Sequence, residues 1–173
     1  MRMRAHLAVA LVATLAVPVV AHAQSPLAEA FRENATTMGK KLIAAGELMP
    51  AEKYTYKPTP AQMSFADIMV HLAGGNDFLC GAIGGVKAPT RAKVPATAGK
   101  DALVARLRET FKFCDEALAK LDDSKLGEEL SMFGSKMSRA AVELETTGDW
   151  ADHYSQMANY LRLNGVLPPG AKK

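Results

Sequence analysis

Helix start and stop signals fall four times along this chain of 173 residues, and the gaps between them constrain the fold more than any other feature. Ser25-Pro26 reads as an N-cap followed by a first-turn proline, with a helix expected to about Leu48, before Pro50. Ser64 with Asp67 three residues later is a capping-box variant, and its helix is expected to close near Gly84-Gly85. Asp101 opens a third helix to about Leu121, in which Leu103, Leu107, Phe111, Cys114 and Leu118 recur at helical spacing. Ser138 caps a fourth that ends at Asn164-Gly165, where Pro168-Pro169 prevent continuation. Gly148, inside that helix, costs about 1 kcal/mol and marks a place where it can break. No segment sustains a two-residue alternation, so the expected class is all-α, a four-helix bundle.

The first and second helices are joined by residues 49–63, the second and third by 86–100. Both stretches exceed the roughly 2 to 8 residues usual between antiparallel neighbours. About fifteen extended residues span on the order of 50 Å, enough to travel back along a helix of about 30 Å. Cys80 and Cys114 bear on the same point. They are read as a disulfide, with two buried thiols as the alternative. A bridge requires the second and third helices to run parallel, because only then do the cysteines stand at similar heights along their axes. An up-down-down-up bundle with long crossover connections would satisfy such a bridge and is the expected topology. The spacing of 34 fits neither a zinc ribbon nor a C-x-x-C redox motif.

The beginning of the chain reads as a cleaved signal peptide over residues 1–23. Arg2 and Arg4 form its basic part, Leu7 to Val20 its apolar part, and Ala21-His22-Ala23 its cleavage site. The working protein would then be one domain, 24–173, exported to the periplasm or the extracellular space. No later stretch reaches the roughly 18 unbroken apolar residues of a membrane span. Losing Arg2 and Arg4 takes the formal charge from +3 to +1, so the sequence pI near 8.9 overstates the basicity. A nucleic-acid partner is not expected. A small-molecule ligand of unknown identity and a homodimer are the partner expectations.

His6 and His22 belong to the leader, which leaves His71 and His153. His71 stands mid-way along the second helix, one turn after Asp67 and beside Gly74 and Gly75, which leave room for a neighbouring helix or a ligand. His153, on the fourth helix, shares a polar stripe with Asp149 and Tyr160, with Gln156 flanking it. An inward stripe of this kind must be satisfied by partners, water or a metal. His71, Asp149 and His153 would make a three-ligand set with open positions, which suits zinc or ferrous iron. The plainer reading is a local hydrogen bond between Asp149 and His153. Trp150 is read as core or pocket wall, Tyr160 as hydrogen-bonded within the bundle, and Arg162 as structural.

The segment DHYSQMANYLRLNGVLPP, residues 152–169, resembles the ending H-x-x-x-H-Y-G-Q-x-x-x-Y-L-R-x-x-G-x-x-P-P of the DinB-like superfamily. MPAEKYTYKPTP, residues 49–60, and the helix carrying His71 are similar to that family's first connection and second helix. The resemblance spans about 26–169 and implies an up-down-down-up bundle. It also implies a divalent metal, zinc, nickel or iron, held by one histidine of the second helix and an H-x-x-x-H pair on the last. His71 and His153 match two of those positions; the third is Asp149, and the usual glycine after the tyrosine is Ser155. Cys80 and Cys114 resemble the cysteine pair of exported members. The implied function is a metal-dependent hydrolase or thiol transferase, with Asp67, Asp152, Gln156 and Tyr160 as site neighbours and no catalytic residue assigned. The alternative is a non-catalytic exported module that binds a ligand or partner and carries a degenerate metal site.

Overall fold

The structure, a computed structural model, describes residues 25–171; the leader reading falls outside them. Four helices account for most of the chain: α1 (Pro26–Leu48), α2 (Phe65–Gly84), α3 (Lys100–Leu118) and α4 (Arg139–Leu163). An antiparallel hairpin, β1 (Glu129–Met132) and β2 (Ser135–Ser138), stands between the last two.

Local chemistry explains most of the helix ends. At α2 the Ser64 hydroxyl accepts from the Asp67 amide while the Asp67 carboxylate accepts from the Ser64 amide, completing the capping box. Gly85, at φ 66°, takes the left-handed conformation that closes this helix, and the Val86 amide returns to the Gly81 carbonyl. Ser138 caps α4 by accepting from the Ala141 amide, and Gly165, at φ 74°, closes it. Gly148 does not break α4, which runs through it without interruption.

Three expectations need correction. Ser25 sits at the N-cap of α1 but makes no side-chain cap; Asp123 caps it instead, accepting from the Leu27 and Ala28 amides at 3.3 and 2.9 Å. The α3 helix starts at Lys100 and stops at Leu118, short of Leu121. Leu121 is nonetheless buried, and its carbonyl accepts from Arg32 at 2.6 Å, so hydrophobic spacing continues beyond the helical backbone. The hairpin was not expected because its strands are only four residues long: β1 alternates in polarity and burial too briefly to register as a pattern, and β2 does not alternate. Phe133 and Gly134 both have positive φ, as a tight two-residue hairpin turn requires.

Contacts along the helices fix their directions. Asn76 meets Thr110, Cys80 bonds Cys114, and Gly84 lies against Ala117, so α2 and α3 run parallel. The cysteine Cα atoms are 5.0 Å apart. Any Cβ at Gly84 would overlap the Ala117 carbonyl, so this close approach depends on glycine. His71 meets Asp149, and Arg139 donates to the Ala82 carbonyl, so α2 and α4 are antiparallel. Phe111 packs on Gly39 and Val104 on Gly46, so α1 and α3 are antiparallel as well. The bundle is up-down-down-up.

The first crossover is tied down at both ends, where Tyr54 donates to the Gly46 carbonyl at 2.7 Å and Tyr160 to the Met63 carbonyl at 3.0 Å. One continuous core, including Leu42, Phe65, Ile68, Leu72, Leu107 and Trp150, fills the centre. Among the described residues no helix is long and apolar enough to cross a membrane.

Candidate metal centre

Two helices supply the site. α2 brings His71 and α4 brings Asp149 and His153, one turn apart and therefore on one face. His71 Nε2 lies 3.3 Å from Asp149 Oδ1, and His153 Nε2 lies 3.5 Å from the same oxygen. The two imidazole rings meet edge to face with centroids 4.6 Å apart. One ligand atom from each residue lies within 4.8 Å of the other two. Ligands held about 2.1 Å from a tetrahedral ion would stand roughly 3.4 Å apart, close to the two oxygen–nitrogen separations here.

Burial is graded across the three. The side chains of His71, Asp149 and His153 are 47%, 29% and 10% exposed, so the group faces solvent on one side and the core on the other. Neither ring nitrogen of His153 has a hydrogen-bond partner, although both are buried. Burial pushes the His153 imidazole below its ordinary range, the Asp149 carboxylate opposes that shift, and nearby His71 adds to it. A neutral imidazole with unengaged nitrogens is the form in which histidine ligates a metal.

The flanking residues divide. Asp152 Oδ2 lies 3.7 Å from His153 Nδ1 and accepts from Gln156 Nε2 at 2.7 Å, so both stand beside the site. Asp67 does not reach His71. Its carboxylate is taken by the amide and hydroxyl of Ser64, and those bonds hold it below the usual carboxylate range. Tyr160 is buried, bonded to Met63 and packed edge to face on Tyr56, which makes it a bundle tie and not part of the trio. Trp150 is fully buried, with its ring between Phe31 and Phe111.

Sequence reasoning overlooked Asn76 and Thr110. Asn76 Oδ1 accepts from Trp150 Nε1 at 2.8 Å, and its amide donates to Thr110 at 3.1 Å, which in turn donates to the Leu107 carbonyl. The bond from Asn76 to Trp150 fixes the rotation of α2 against α4, and with it the meeting of His71 and Asp149. The available signal was an asparagine at a core position of a helix, between Leu72 and Leu79.

Beside the trio, Leu144, Glu145, Gly148, Asp149 and Asp152 line an open depression of about 340 Å3. A Cβ at Gly148 would meet nothing within 4 Å, so the depression is open at that position.

The chain matches a family model described as the DinB superfamily over residues 35–157. A DinB-like protein from Bacillus cereus has a similar structure, with a TM-score of 0.71 at 16% identity over 83% of this chain and 97% of that one. A DinB-like protein from Bacillus subtilis is similar at a TM-score of 0.64 and 17% identity, over 79% of this chain and 92% of that one. At such identities the likeness concerns the fold. No curated protein matches the sequence.

Proposed function

This chain belongs to the DinB superfamily, and on that premise we propose that His71, Asp149 and His153 hold one divalent metal ion, zinc, nickel or iron, for hydrolysis or thiol transfer. The observation that carries this reading is the pair of buried, unbonded ring nitrogens on His153, a few ångströms from a carboxylate and a second imidazole. A bound ion would lower the pKa of a coordinated water or thiol and so supply a nucleophile near neutral pH.

The remaining work falls to side chains. His153, kept neutral by burial, offers a nitrogen lone pair from the inner side. Asp149 brings negative charge between the two rings and, being harder than imidazole, shifts preference away from the softest ions. His71, half exposed, leaves the outward side to substrate. Asp152, steadied by Gln156, stands where an outer carboxylate can orient the His153 ring through Nδ1. We further propose that the protein is exported, a reading supported by the leader-like residues 1–23 and by the bonded cysteine pair.

The bond from His71 to Asp149 favours a second reading, in which the carboxylate serves two imidazoles and the bundle is a non-catalytic module. Thermal unfolding of protein purified without a metal-binding tag separates the two. Zinc, nickel or ferrous iron should raise the melting temperature by mass action, and His71→Ala should remove the gain. An unchanged melting temperature with every ion would sink the metal reading.

A further inference from the structure

A cavity of about 520 Å3 lies beneath the second crossover, on the side of α2 that faces α3. Its volume is in the roughly 300–1,000 Å3 range of small-molecule sites. Met69, Val70 and Ala73 of α2 and Leu103 of α3 form an apolar floor, and Val94 and Pro95 of the crossover close over it. None of His71, Asp149 and His153 lines it. The cavity is therefore separate from the metal centre.

Its walls are held in place by the chain itself. Arg91 pairs with Asp77 at 2.8 Å, and Arg106 donates to the Ala92 carbonyl at 2.9 Å, which fastens the crossover to both helices. The rim is unbalanced in charge. Arg91, Lys93 and Arg106 face two carboxylates, Asp77 and Glu109, and Lys93 forms no ion pair among the described residues. Gly74 also lines the cavity. Glycine inside a helix costs about 1 kcal/mol relative to alanine, yet a side chain there would meet nothing within 4 Å. A larger side chain at this position therefore has room to enter the cavity.

We propose that this cavity binds a small organic anion, its apolar body on the floor and its carboxylate, or an equivalent charged group, at Lys93 and Arg106. Charge complementarity selects the anion, and the concave apolar floor selects a compact apolar body. The test is titration calorimetry of the intact protein with octanoate and with octanol, in EDTA so that no carboxylate is read through a bound metal. Octanoate should bind saturably at one site, at least tenfold more tightly than octanol. Gly74→Leu, which fills the cavity and improves helix propensity, should abolish binding without lowering the melting temperature. Lys93→Glu, at an exposed position that leaves folding intact, should weaken octanoate about tenfold. Absence of saturable octanoate binding, equal affinity for octanol, or unchanged affinity in Lys93→Glu would each overturn the proposal.

Discussion

Trp150 Nε1 donates to Asn76 Oδ1 across the bundle at 2.8 Å, one residue from Asp149 on one helix and five from His71 on the other. A buried donor aimed at a buried acceptor sets the rotation of two helices in a way that apolar packing alone does not. Asn76→Leu would leave the indole N–H and the Thr110 hydroxyl less satisfied. A loss of about 2 kcal/mol is expected, measured by urea unfolding. Affinity for metal should fall in the same variant, although Asn76 touches neither histidine.

The link between Cys80 and Cys114 closes a loop of 34 residues in sequence separation. On the chain-entropy account, a loop of this size contributes about 4 kcal/mol. Reduction, or the double substitution Cys80→Ala and Cys114→Ala, should lower the urea midpoint accordingly. Non-reducing mass spectrometry that finds two free thiols in the natively produced protein would contradict the bridge.

Glu143 is buried, and desolvation raises its carboxyl to about 7 despite the opposing charge of Arg139. The folded state therefore holds a proton that the unfolded chain has already released near its ordinary value of 4.5. Stability should fall as pH rises from about 4.5 to about 7, by on the order of 1 to 3 kcal/mol. Glu143→Gln should flatten that slope and raise stability above pH 7. Urea midpoints at a series of pH values test the sign directly.

Asp149 allows a test in both directions. Asp149→Asn keeps the size but removes the charge, and metal affinity should fall by at least tenfold. Asp149→His would place a third imidazole beside His71 and His153. If metal content, read by mass spectrometry, rises from zero to about one per chain only in that variant, the native protein is not a metalloprotein.

How much of this was legible in the sequence depended on range. Ser64 with Asp67, Ser138 and Gly165 act within a turn of their own helix ends, so reading them locally suffices. The cysteine pair was enough to set α2 parallel to α3, because a bond demands equal heights, whereas the long connections allow either direction for α1 and only its contacts with α3 decide it. What failed was action at a distance. The Asp123 cap on α1 comes from 95 residues away, and no local pattern encodes it. Asp67 was placed near His71 by helical spacing, but the N-cap bonds of Ser64 claimed its carboxylate first. Within the site, His71, Asp149 and His153 were identifiable by residue type and position, whereas Asn76 and Thr110 were hidden in a stretch that reads as plain core.

The Asp123 cap has a consequence for the order of assembly. The earliest made of the four helices packs against α3 and α4, the last two, and its leading amides wait for a carboxylate made almost a hundred residues later. Early synthesis yields α1 without its neighbours, its apolar face open to any protein that handles nascent chains. α3 gives α1 and α2 their first common partner, α4 then covers both, and the two histidines come together in that closing event.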